Sequence, residues 1–200
     1  IVLSCCKNFF NYSMNKTQGR QKEKYDVIAV LYMHCSRHNE FNELYWLKPL
    51  REKRRIKVLG LMVYGFNAEV YSYYNKLTDA LLFERNLSSL IDVKAYIKLL
   101  LKWFYRIIQG FVCGKLKFDH AVYLIQLMER ASFFEALFIS TGIRSVWNMG
   151  EISDSLSVSL VLAASKVGGI SLGSTWSMHY FPTPLMRYNK NDVLFLSGLR

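Results

Sequence analysis

Between Leu90 and Gln109 the apolar residues Leu90, Ile97, Leu100, Leu101, Phe104 and Ile108, continued by Phe111, recur mainly at steps of three and four. That spacing gathers them on one side of a helix, and the two-residue alternation of a strand does not reproduce it. Ser89-Leu-Ile-Asp92 resembles a capping box with Asp in place of the usual Glu, and Gly110 suits a helix C-terminus. The sequence therefore predicts a helix over 90–109 whose buried stripe is those seven residues. Such a helix needs an apolar partner. With 52% hydrophobic and 15% aromatic residues, the chain has the material for a sizeable core and is too apolar for disorder.

Other segments extend the helical reading. Ile56, Leu59, Val63, Phe66, Val70, Tyr73 and Leu77 also share one helical face, and Leu77–Phe83 reads as a continuation. Gly60 and Gly65 weaken that helix by roughly 1 kcal/mol each, or else admit another helix closely. Residues 41–50 read as helical, with Pro49 a break or a new start. A further helix runs from Asp119, a natural N-cap, to Ser140, with Gly142 beyond. Tyr25–Met33 is readable as a short strand or a helix, and so is Ser155–Ala164. Phe181-Pro-Thr-Pro-Leu185 is extended, and Val193–Leu196 is a candidate short strand. The expected fold class is mainly α: an irregular multi-helix bundle with a basic N-terminal arm and a short strand near the C-terminus. Residues 1–24 form the flexible arm, 25–150 the helical domain, and 151–200 a Ser/Gly-rich segment packed on it.

The net charge of +11 is unevenly placed. Residues 1–117 hold 20 Lys/Arg against 9 Asp/Glu, whereas residues 118–200 hold 6 of each. The densest run is Arg51-Glu-Lys53-Arg54-Arg55-Ile-Lys57, preceded by Trp46. Lys94, Lys98, Lys102 and Arg106 recur every fourth residue on the 90–109 helix, and Asp92 is the one acidic residue just before them. Basic residues interleaved with aromatic rings suit RNA or single-stranded DNA, with charge holding the backbone and rings holding bases. The candidate nucleic-acid-binding residues are therefore Trp46, Arg51, Lys53, Arg54, Arg55, Lys57, Lys94, Lys98, Lys102 and Arg106. The alternative is a peripheral membrane or protein-interaction module using the same basic face, with an anionic membrane surface as its partner, or a chain with no selected function; an ordinary solvated face is the plainest account of the cations.

Other chemistries find little support. Gly-x-Ser-x-Gly and the phosphate-binding Gly-x-x-x-x-Gly-Lys-Ser/Thr loop are both missing from the sequence. The four cysteines are Cys5, Cys6, Cys35 and Cys113, whose spacing suggests no disulfide framework and so favours a reducing, intracellular setting. His34-Cys35-x-x-His38 is the one metal-like cluster, but a structural zinc needs four ligands and the fourth has no evident source. No cofactor, metal or small-molecule substrate is expected, and a non-enzymatic role is favoured. Residues 155–175 are the most membrane-like stretch, yet Lys166 and the Ser/Gly content favour burial in the protein.

Residues 25–66 resemble a segment near the C-terminal end of non-LTR retrotransposon reverse transcriptases. The resemblance is carried by Asp26 and Leu31, by Leu44-Tyr-Trp-Leu47, by Arg51, Arg54, Arg55 and Lys57, and by the aliphatic stretch Leu59–Tyr64. Val146-Trp147-Asn148 and Ser153-Asp-Ser-Leu-Ser157 resemble that family's later motifs, in the same order. Val27 and Gly65 stand where the family has His and Lys, and the Tyr-x-Asp-Asp polymerase signature is missing. The resemblance thus implies a degenerate or truncated piece that keeps a basic, helical nucleic-acid-handling region without polymerase activity.

Overall fold

The protein is described by a computed structural model, over residues 24–31, 44, 47–63, 68–148, 155–174 and 192–195. Val27–Leu31 is an unbroken apolar run, and all five residues are buried (β1). A strand can bury every side chain only if both faces of its sheet are covered, as in parallel sheets. Val58–Met62 (β2) is likewise wholly buried. β1 pairs in parallel with β2 on one side, Val27 opposite Val58, and with Ser145–Asn148 (β4) on the other, Val27 opposite Ser145. Ala80–Phe83 (β3) flanks β2, while Ile170–Ser174 (β5) and Val193–Phe195 (β6) continue beyond β4. The strand order is β3-β2-β1-β4-β5-β6, all parallel, which is the order of a doubly wound, Rossmann-type sheet.

Helices cover both faces. Lys48–Arg54 (α1) links β1 to β2, and Ala68–Leu77 (α2) links β2 to β3. Val27, Ala29 and Leu31 of β1 pack with Leu47, Ile56, Val70, Tyr74 and Trp147 on that face. Ile28 and Val30 point the other way, into a second cluster with Phe134, Leu137, Phe138, Leu156 and Leu160. Those residues come from Phe118–Thr141 (α4) and Ser155–Lys166 (α5). A 3-10 turn over Glu84–Leu90 leads into Val93–Val112 (α3), which returns against α4 as a helical hairpin.

This architecture overturns the expected helix bundle. The six strands span three to five residues each, too few for periodicity to show, and their buried apolar runs are easily absorbed into helical spacings. The face read from Ile56 to Leu77 is in fact β2 followed by α2, and the continuation over Leu77–Phe83 contains β3. Gly60 does permit close approach, but of neighbouring strands. A Cβ there would lie 2.8 Å from Leu81 Cδ1 and 3.0 Å from Leu31 Cδ1. Residues 151–200 contribute α5, β5 and β6 to the same three-layer architecture.

The 90–109 helix exists as α3, with the Asp92 carboxylate accepting from the Lys94 N–H at 3.0 Å, but of its expected buried stripe Leu90 alone packs on the core, Ile97 and Leu100 are half-buried, and the other four face outward. Leu101, Phe104, Ile108 and Phe111 are exposed. Tyr96 and Leu99 on the opposite side pack on the core, Tyr96 edge-on to Phe133 with ring centres 6.1 Å apart. No residue of α3 is fully buried.

Three aspartates, each one residue before a strand, stitch the amino edge of the sheet. Asp26 accepts the Lys57 N–H at 2.8 Å, Asp79 the Val58 N–H at 2.7 Å, and Asp192 both the N–H and the hydroxyl of Ser171, at 2.7 and 2.8 Å. These carboxylates satisfy backbone donors that the ladder leaves over where neighbouring strands begin. The hydrogen bond from the Ser171 N–H, followed by that from its hydroxyl, holds the Asp192 carboxyl below the usual carboxylate range.

Arg55 ends α1 in the left-handed region at φ 53°, where a side chain costs free energy that glycine avoids. Arg55→Gly should raise unfolding stability by about 1 kcal/mol, read by urea denaturation. For Asp192 the folded pKa is depressed, so its contribution is complete above the unfolded value of about 3.9 and fades as pH falls through the lower folded value. Asp192→Asn should lower the urea midpoint at neutral pH, and the gap from the unmodified protein should close as the pH drops below about 4.

Candidate ligand site at the carboxyl edge of the sheet

From β1 the chain moves outward to β2 and β3, then crosses back to place β4 on the other side of β1. The order reverses between β1 and β4. In an open parallel sheet the connections leaving two such strands diverge to opposite faces and open a crevice past their carboxyl ends. The described side chains at this end form a polar group. Asn148, the last residue of β4, is buried, and its Nδ2 donates to Ser157 Oγ at 2.7 Å. Ser155 opens α5, and its hydroxyl accepts from Arg130 Nη1 at 2.7 Å. Arg130, from the middle of α4, also forks onto Glu84, just past β3, with Nε–Oε1 at 2.9 Å and Nη2–Oε2 at 3.2 Å.

This two-point pairing fixes the guanidinium plane. Both side chains are more than one-third exposed, so the ion pair itself contributes less than about 1 kcal/mol to stability. Its larger effect is positional, since it holds Arg130 against the first turn of α5. The half-buried Arg130 guanidinium, the Ser155 hydroxyl and the start of α5 are suited to hydrogen-bonding an anionic ligand, whereas Asn148 and Ser157, both fully buried, tie the end of β4 to α5. β1 is followed in sequence by Tyr32-Met-His-Cys-Ser-Arg37, which lacks the Gly-x-Gly-x-x-Gly fingerprint of dinucleotide-binding domains.

The basic residues singled out from the sequence lie elsewhere and apart. Arg51, Lys53 and Arg54 are on α1, and Arg55 and Lys57 lie between it and β2, at the amino edge of the sheet. Arg51 is engaged within the fold: its guanidinium donates to the Leu77 carbonyl and lies 3.6 Å from Asp79. Lys53, Arg54, Arg55 and Lys57 are exposed. Lys94, Lys98, Lys102 and Arg106 are exposed on α3, on the opposite face of the sheet. No single groove is lined by both sets. Trp46 lies outside the described residues, as do His34, Cys35 and His38. Trp103 has Arg106 and Lys166 over its ring at 5.4 and 5.3 Å.

Among the described residues no group of His, Cys, Asp or Glu is arranged to hold a metal ion, and no helix is long and apolar enough to cross a membrane. Within the stretch 155–175, the described residues 155–174 contain α5 and β5. No known family model, curated protein or solved structure matches the chain. The retrotransposon resemblance therefore rests on its motif residues alone, and the segment that carries it contains β1, α1 and β2 here.

Asn148, Ser155 and Ser157 fall inside short motifs visible in the sequence, but their convergence was not. Arg130 and Glu84 carry no local signal, since they are 46 positions apart and meet only through the crossover. Asn148→Leu removes a buried donor and should cost about 1–3 kcal/mol of unfolding free energy, measured by urea denaturation.

Proposed function

We propose that the chain is a doubly wound α/β domain that binds a small phosphate-bearing ligand, of the nucleotide class, in the crevice past the carboxyl ends of β1 and β4. The reversal of strand order between β1 and β4 carries this reading, because ligands of such sheets bind where the connections diverge. The polar group at that end supports it: Arg130 and Ser155 supply donors at the start of α5, and buried Asn148 anchors the end of β4. The absence of the glycine fingerprint favours a nucleotide or sugar phosphate over a dinucleotide.

The nucleic-acid reading has less geometric support. Its two cationic sets lie on opposite faces, and Arg51 is committed to the fold. The test is thermal unfolding with inorganic phosphate, nucleoside mono-, di- and triphosphates and nucleotide sugars. At a ligand concentration about 100 times Kd, stabilisation should reach about 2.7 kcal/mol. Arg130→Met should lower that affinity about tenfold or more, as expected for losing a hydrogen bond to a charged group. A panel that leaves the unfolding temperature unmoved, while single-stranded RNA binds with a steep salt dependence, would overturn the proposal in favour of nucleic acid.

A further inference from the structure

The exposed side of α3 combines two features that soluble helices normally keep apart. Leu101, Phe104, Ile108, Phe111 and Val112 on α3, with Phe118 at the start of α4, are 46–78% exposed. At about 100° per residue, the α3 members fall on one stripe facing away from the core-packing residues Tyr96 and Leu99. Lys94 and Lys98 border that stripe, with Lys102 and Arg106 farther round the same flank. From Val93 to Phe118 there is no acidic residue, and Lys115 and Lys117 add positive charge in the turn. α3 is the outer layer of its face, with no fully buried residue. The 3.5 Å contact of Ser159 Oγ with the Leu127 carbonyl sets α4 level with α5. The beginning of α4 and the end of α3 therefore reach about 8 Å beyond the start of α5.

We infer that the α3–α4 hairpin docks on an anionic lipid surface, with the stripe from Leu101 to Val112 entering the headgroup boundary and the lysines holding lipid phosphates. A helix with an aromatic and aliphatic face beside a lysine-rich flank has the character of one that lies in the plane of a bilayer surface. Long lysine stems let ammonium groups stay among headgroups while the neighbouring side chains sink deeper. Charge decides against a second copy as the occupant. A two-fold contact through this face would set Lys94, Lys98 and Lys102 against a second α3 that offers no carboxylate from Val93 to Phe118 to receive them. The crevice past β1 and β4 is a separate feature, so this inference does not rest on the ligand proposal.

The experiment is flotation of the full chain with phosphatidylcholine vesicles, with and without phosphatidylglycerol, beside light scattering to read the oligomeric state. Binding is expected on the phosphatidylglycerol vesicles, weak on the neutral ones, and weakened by salt. Replacing Lys94, Lys98 and Lys102 together by Gln should lower the partition coefficient roughly 100-fold. F104S/I108S/F111S changes only exposed side chains, so it should fold with an unchanged far-ultraviolet spectrum and lose binding about tenfold or more. Equal binding to both vesicle types, binding to neither, or a dimer that the serine variant dissociates would each overturn the inference. Should the serine variant misfold, the glutamine variant and the salt dependence decide on their own.

Discussion

The burial of β1 between two parallel neighbours is the constraint on which the rest of the structure depends. Val27–Leu31 spends its backbone hydrogen bonds on β2 along one edge and β4 along the other, and its side chains alternate between two apolar clusters. Parallel pairing requires a long crossover each time the chain returns, and those crossovers supply the helices that cover each face. One choice decides the rest: β2 and β3 add to one side of β1 and β4 to β6 to the other. It reverses the strand order between β1 and β4, places α1 and α2 on one face, and leaves the α3–α4 hairpin outermost on the other.

That topology also governs where charge and chemistry go. The run ending at Lys57 sits at the amino edge, where Asp26 and Asp79 already bind backbone donors and Arg51 is tied to the α2–β3 turn. The polar cluster of Asn148, Ser157, Ser155, Arg130 and Glu84 gathers at the other end of the strands. Dense charge in the sequence therefore does not mark the end of the sheet where ligands of this architecture bind. It marks instead an exposed turn and one flank of an exposed helix.

Part of this was legible in the residues. The triplets Asp26-Val-Ile, Asp79-Ala-Leu and Asp192-Val-Leu announce strand starts, with an acceptor followed by an apolar run, although only the last of these regions was read solely as a strand. The long helices α3 and α4 were evident because twenty or more residues show many turns of periodicity. A four-residue strand such as Ser145–Asn148 shows none. Its apolar side chains satisfy a helical spacing as readily as an extended one, so β2 and β3 were absorbed into a single imagined helix.

By itself the sequence determined that the chain carries an uneven positive charge, that an amphipathic helix lies over about residues 90–109, and that the chain has enough apolar residues for a core. Only the tertiary structure decided which side of that helix meets the core. An apolar stripe states that a surface will avoid water, not which neighbour will cover it. Tyr96 and Leu99 take the place against the core instead of Leu101, Phe104, Ile108 and Phe111, because β3 and the 3-10 turn deliver α3 to α4 with the half-buried tyrosine edge-on to Phe133. The same holds for the pairing of Arg130 with Glu84 and Ser155: contacts between residues tens of positions apart depend on how the strands are ordered, and strand order is a property of the whole sheet.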